Sequence, residues 1–291
     1  MATTRAQEMC VKVAAAHFRE NPMLNSTLPQ EYVGKIVKLL PIDLPLELVA
    51  HLVEDEDYWK RRSLSRWKKV HTASHGNSWK QTYFEKNLQE NIECFDPVTT
   101  ELVSLERLLR LSKQYVRNLT IRQLPSHLDL ELIFKNLREA LTSLSLTYGM
   151  RNVGMDYDRS LFGMKLSDCR LMAKALESSE TLTHLDLSNN LLDDDKVRMV
   201  CSGLVDNISV IHLDLSKNKI CGPWGTGYLE VAGQSQLHHV SGPVRQPDPR
   251  RGGEVHGEGA EGESVPPLPE PAVEPHRGRR RALSLRRAPQ Q

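Results

Sequence analysis

Leu182-Thr183-His184-Leu185-Asp186-Leu187-Ser188-Asn189-Asn190-Leu191-Leu192 returns, offset by 28 residues, as Val210-Ile211-His212-Leu213-Asp214-Leu215-Ser216-Lys217-Asn218-Lys219-Ile220. Both copies fit L-x-x-L-x-L-x-x-N-x-L. The alternation predicts a short strand that sends Leu185, Leu187, Leu213 and Leu215 into a core and His184, Asp186, His212 and Asp214 to the opposite face. Asn190 and Asn218 then turn the chain. A buried amide needs hydrogen-bond partners, and the backbone of the adjacent coil supplies them.

The intervening residues complete the unit. Asp193-Asp194-Asp195 opens a stretch with Val197, Val200, Cys201 and Leu204 at helical spacing, and acids in a first turn suit the positive end of the helix dipole. Upstream, Ser167 and Asp168 are read as the cap of a similar helix carrying Leu171, Met172, Ala175 and Leu176. An earlier, weaker copy is Leu141-Thr142-Ser143-Leu144-Ser145-Leu146, with Gly149 where the Asn would fall and an insertion at roughly 150–165. A fainter one is Val116, Leu119 and Ile121, followed by a helix over about 129–139. Consensus and period match the leucine-rich repeats. A period near 28 with a helix on the convex side resembles the ribonuclease-inhibitor type, whose stacked units form an extended curved binding surface.

After Ile220-Cys221 the expected helix gives way to Gly222-Pro223-Trp224-Gly225. From Gly222 onward there is no Lys, Asn, Ile or Phe, yet ten of the 16 prolines and eleven of the 17 glycines lie there. Such a stretch cannot bury enough apolar surface to offset its ordering entropy, so 222–291 is expected to be a disordered tail. Its composition also resembles GC-rich nucleic acid translated in another frame, as at the end of a short splice form. A sheet stopping at 221 would leave its last strand uncapped, and unprotected edges invite association.

The charges nearly cancel, 38 Lys and Arg against 37 Asp and Glu, so no global field draws the chain to nucleic acid or a membrane. No apolar run approaches the ~20 residues of a membrane span, and the start, Met1-Ala2-Thr3-Thr4-Arg5, lacks the apolar core of a secretory signal. Five scattered cysteines without C-x-x-C suit a reduced, intracellular protein.

Before the repeats, short helices are broken by prolines. Tyr32, Val33, Ile36, Val37 and Leu40 follow helical spacing and stop at Pro41. Leu44-Pro45 then opens an amphipathic helix, acidic residues 54–57 form a turn, and a second helix ends in Trp67. That order, over about 44–67, resembles an F-box, and Trp79 with Tyr83 and Phe84 resembles the W-x-x-x-Y/F helix found beyond one. In a plain helical domain, Leu48, Leu52, Leu64 and Trp67 would simply be core.

His184 with His212 and Asp186 with Asp214 would stack side by side, which invites a metal or acid–base reading. Strands ~4.8 Å apart make ladders of identical residues from any repeat. The face His184, Asp186, Ser188, His212, Asp214 and Ser216 is therefore assigned to partner contact, with no catalytic, metal or cofactor residue. Lys60, Arg61, Arg62, Arg66, Lys68 and Lys69 read as a solvated helix face or a protein- or tubulin-binding patch, because the acids just before them break the basic footprint of a nucleic-acid binder. The tail's Arg279-Arg280-Arg281-Ala282-Leu283-Ser284 fits a basic targeting signal or a kinase site and is assigned neither. No phosphate-cradling glycine loop, H-E-x-x-H or G-x-S-x-G occurs.

The stretch from Leu44 through His51-Leu52-Val53-Glu54-Asp55-Glu56-Asp57-Tyr58-Trp59-Lys60-Arg61-Arg62-Ser63, the helix at Trp79, and the repeats at Leu182 and Val210 together resemble the dynein regulatory complex subunit 5 family, also called T-complex-associated testis-expressed protein. The resemblance covers roughly 1–221, beyond which the family continues with further repeats. It implies a structural subunit of the nexin link between outer doublet microtubules in motile cilia and sperm flagella. Its partners would be other subunits of that complex and the doublets. The alternative is an F-box and leucine-rich-repeat substrate receptor of a cullin–RING ubiquitin ligase, and a third reading is a free cytosolic repeat protein that sequesters a ligand. The expected fold is α/β: a helical N-terminal domain over 1–112 that is F-box-like at about 44–67, a partial solenoid over 113–221, and the tail over 222–291.

Overall fold

The computed structural model describes residues 2–22, 24, 28–96, 98–125, 128–149, 162–220 and 239–241. Six helices come first: α1 (Ala2–Ala16), α2 (Gln30–Leu39), α3 (Leu46–Leu52), α4 (Glu56–Arg66), α5 (Trp79–Glu93) and α6 (Leu102–Ser112). Strands and helices then alternate as β1 (Asn118–Leu124), α7 (Leu130–Leu137), β2 (Ser143–Tyr148), α8 (Leu166–Glu177), β3 (His184–Asp186), α9 (Asp194–Ser202), β4 (His212–Asp214) and β5 (His239–Ser241). The class is α/β. The five strands form one parallel sheet in sequence order.

Local chemistry sets the helix starts. Asp55 Oδ1 accepts the Tyr58 N–H at 2.8 Å, Ser78 Oγ accepts the Gln81 N–H at 3.2 Å, and Asp193 Oδ1 accepts the Lys196 N–H at 3.0 Å, each answering an otherwise orphan donor of a first turn. α8 starts at Leu166 with Lys165 in the cap position, two residues earlier than a cap at Ser167 implies. Asp168 lies inside its first turn and reaches back to the Lys165 N–H at 2.9 Å.

In the sheet, Leu119, Leu144, Leu185 and Leu213 are register partners, and each is no more than 1% exposed. Ile121, Leu146, Leu187 and Leu215 make a second buried row. Each such side chain contributes ~1.5–3 kcal/mol relative to exposure. The faint copy at Val116, Leu119 and Ile121 is therefore a full member of the pattern, with Asp129 capping α7 behind it.

The sheet does not end at 221. β5 pairs with β4 through His212↔His239, Leu213↔Val240 and Asp214↔Ser241, so one strand lies inside the segment read as a structureless tail. Its source is Leu237-His238-His239-Val240, which follows Val210 by 27 residues in the same frame. The rest of the expected tail, its basic run and kinase-like motif included, lies outside the described residues.

Packing also crosses the boundary placed at 112/113. Trp59 is fully buried, donates its indole N–H to the Val53 carbonyl at 2.9 Å, and lies 5.4 Å from the rings of Tyr58, Tyr83 and Phe84. Tyr115, just before β1, stacks on Phe84 at 4.4 Å and donates its hydroxyl to the Ala50 carbonyl at 2.8 Å. α5 then covers the free edge of β1. Buried Glu85 accepts the backbone N–H groups of Arg117 at 2.8 Å and Asn118 at 2.6 Å, and buried Glu93 accepts that of Arg122 at 2.8 Å. Gln81 and His75 hold the Glu85 carboxylate in place. An open strand edge invites foreign pairing, and here two carboxylates close it. The helices and the repeats belong to one compact unit, Met1–Val244.

Of the basic run, Lys60, Arg61, Arg66, Lys68 and Lys69 are exposed, as a solvated face requires, and Arg62 alone departs from it. Arg62 is only 8% exposed and donates to the Tyr58 hydroxyl at 3.0 Å and the Leu44 carbonyl at 2.8 Å. Arg61 donates to the Val37 carbonyl at 2.9 Å, and Arg66 pairs with Glu90 at 2.9 Å. These guanidiniums tie α4 to its neighbours. Leu52 and Leu64, which would be core in a plain helical domain, are 36% and 50% exposed, and Leu48 and Trp67 are half-buried.

Candidate partner-binding surface

Alternation along the strands sends every second side chain to the face opposite the leucine rows. That face carries the six residues singled out in the sequence. His184 is exposed, whereas Asp186, Ser188, His212, Asp214 and Ser216 are half-buried, because each lies against its neighbours one strand away.

The histidines stack, with ring centroids 4.4 Å apart and planes 25° from parallel. The Thr183 hydroxyl lies 2.8 Å from His184 Nδ1 and fixes that ring. Burial within the stack, and secondarily the neighbouring His212, push the His184 imidazole below its ordinary value. Both rings are register partners of each other, and the row continues at the backbone of His239.

The aspartates are anchored by their own turns. Asp186 Oδ1 accepts the Ser188 N–H and Asp214 Oδ1 accepts the Ser216 N–H, each at 2.8 Å, so the backbone of each serine positions the carboxylate two residues before it. Asp186 Oδ2 also accepts the Ser145 hydroxyl at 2.7 Å. Ser145 was missed as a surface residue. Its position between Leu144 and Leu146 matches that of Asp186 between Leu185 and Leu187, which was the available signal.

Below the ladder, the asparagines bind one unit to the next. Asn190 accepts the Tyr148 N–H at 2.8 Å and donates to the Leu146 carbonyl at 2.6 Å. Asn218 accepts from the N–H groups of Asn190 and Leu192 at 2.9 and 3.1 Å and donates to the Leu187 and Leu215 carbonyls, both at 2.9 Å. A third amide, the buried Asn207, donates to the Leu176 carbonyl at 2.6 Å and accepts the Val210 N–H at 2.9 Å, fastening the end of α8 to the approach of β4. Sequence reading passed over Asn207 because the consensus does not include it.

The surface suits contact better than chemistry. Its depression over Ser143, His184, Asp186, His212 and Asp214 holds ≈ 230 Å³, below the ~300–1,000 Å³ of small-molecule sites. Among the described residues, no three His, Cys, Asp or Glu side chains cluster as a metal site. Cys169 and Cys201 are buried, and burial pushes both thiols up to about 12, away from nucleophilic use.

No family model matches the chain. Among curated proteins, dynein regulatory complex subunit 5 of Chlamydomonas reinhardtii is 59% identical over 196 residues, which are 67% of this chain and 50% of that protein. The mouse and human proteins of the same name are each 32% identical, over 241 and 244 residues, or 73% of this chain and 48% of each relative. The chain spans about half the length of the curated relatives it matches. A shorter similarity, 46% over 57 residues and 19% of this chain, is to mouse NACHT, LRR and PYD domains-containing protein 1b allele 4.

Proposed function

We infer, because the chain belongs to the dynein regulatory complex subunit 5 family, that it acts as a non-catalytic scaffold subunit of the dynein regulatory complex in the axoneme of motile cilia and flagella. The observation that carries this reading is the 59% identity over 196 residues to the Chlamydomonas protein of that name. The strand–turn–helix units are read as leucine-rich repeats. Register-matched leucines, asparagine-anchored turns and the short likeness to an LRR protein all favour this. On this reading the ladder of His184, Asp186, Ser188, His212, Asp214 and Ser216 contacts another subunit or a microtubule doublet. The complex thereby holds doublets in register and regulates dynein-driven sliding.

Family membership favours the scaffold over the cullin–RING receptor. In the F-box-like stretch Val49, Ala50 and Val53 are fully buried beside Trp59, while Leu46 and Leu48 are half-buried and Leu52 is 36% exposed. The test is fractionation: the tagged chain, expressed in a flagellated cell, should remain with salt-washed axonemes. Release by the wash together with co-purification of the cullin adaptor would overturn the reading.

A further inference from the structure

We propose that the groove between α1 and α2 is a second docking site, separate from the ladder, for an acidic amphipathic helix of a partner protein. α1 packs on α2 through Val11, Ala15, Phe18, Ile36 and Val37, all buried. Beside this packing lies a cavity of ≈ 320 Å³ lined by residues of both helices. Its apolar lining is Val11, half-buried Tyr32 and Leu39, a leucine left 49% exposed. The polar rim is Gln7, Glu8 and Lys12 on α1, and Lys35 and Lys38 on α2, three ammonium groups against one carboxylate.

Lys35 has its counterion, pairing with Glu31 one turn back and feeling Glu8 across the groove. Lys12 and Lys38 make no hydrogen bond or ion pair with the described residues. They stand on facing helices, one on each side of the apolar strip. A helix laid in such a groove anchors through apolar residues at i, i+3 and i+4, while its flanks meet the rim. Here the flanks must be Asp or Glu to answer both ammonium groups. A second copy of this chain fits less well, because a two-fold contact would set lysine rim against lysine rim.

The test uses the full chain and a labelled helical peptide of about 18 residues, built from Leu, Ala and Glu with leucines on one face. A charge-swapped peptide with Lys in place of Glu serves as control, and binding is read by fluorescence anisotropy. The acidic peptide should bind and the basic one should not. The double substitution Lys12→Glu with Lys38→Glu should weaken binding about tenfold or more at low salt and less at high salt, since screening removes the rim contribution. Leu39→Ser should weaken it at both salt concentrations, with circular dichroism melting verifying that each variant is folded. Equal binding of the two peptides, no binding of the acidic one, or unchanged affinity in the double variant overturns the proposal. So does a dimer in sedimentation that Leu39→Ser dissolves, because the groove would then be filled by a second copy.

Discussion

Glu85→Ala should unfasten the sheet from the helices, and its cost follows from the bonds at the carboxylate. Glu85 accepts two backbone N–H groups of the β1 edge, from Arg117 and Asn118, in a buried position where alanine offers no acceptor. Each buried donor left unpaired costs ~1–3 kcal/mol, so the pair costs about 2–6 kcal/mol. Against a total stability of ~5–15 kcal/mol this is a large fraction. Glu85→Gln keeps one acceptor oxygen but loses the charge, and should cost about 1–2 kcal/mol. The assay is urea unfolding by far-ultraviolet circular dichroism, with hydrogen exchange of peptides covering β1–β2 and α4–α5. Both regions should lose protection together, since they share one core. An unchanged midpoint refutes the reasoning, as does lost protection in β1 while α4 and α5 keep wild-type protection.

Other perturbations discriminate at single positions. Leu185→Asp puts a charge into a buried row and should abolish cooperative unfolding in urea, whereas Asp186→Ala, losing its bonds from Ser145 and Ser188, should lower stability by only about 1 kcal/mol. Gly203→Ala would bring a Cβ to 2.2 Å from the Ala173 carbonyl oxygen and push α9 off α8, at ~1–3 kcal/mol; Gly34→Ala meets nothing within 4 Å and should stabilise α2 by ~0.4–1 kcal/mol in thermal melts. Native protein should expose Cys10 and Cys94 to a thiol reagent but protect Cys169 and Cys201. The buried thiols hold their protons up to about 12, while the unfolded chain releases them from about 9, so stability should fall across that alkaline window in pH-dependent denaturation. His184 has the opposite sign: its lowered value makes stability fall as pH drops below the ordinary imidazole value, an acid dependence that His184→Gln should remove.

The repeats were legible because their signals are local. Leu185 and Leu187 alternate with His184 and Asp186 within four residues, and the 28-residue offset to Leu213 fixes the partner, so register and outward face follow from period alone. The edge cap was not legible. Glu85 meets Asn118 across 33 positions, and nothing near a glutamate in a helix distinguishes an edge cap from a solvated charge. Arg62 misled for the same reason: its run of basic neighbours suggests water, but its partners are the Leu44 carbonyl and the Tyr58 hydroxyl. β5 escaped because the glycines and prolines around Leu237-His238-His239-Val240 dominate the composition, whereas pairing with β4 needs only three extended residues in frame.

The most direct test of the scaffold account is retention of a charge-reversed ladder in axonemes. Asp186→Lys with Asp214→Lys alters two half-buried side chains on the proposed contact face without entering the leucine rows. Expressed in a flagellated cell that lacks its own copy of the subunit, the wild-type chain should stay with axonemes through a salt wash. The double variant, still folding cooperatively though less stable by about 1–2 kcal/mol, should be found in the wash. Equal retention of the two chains would contradict the ladder as the binding surface, and loss of both would contradict the axonemal role itself.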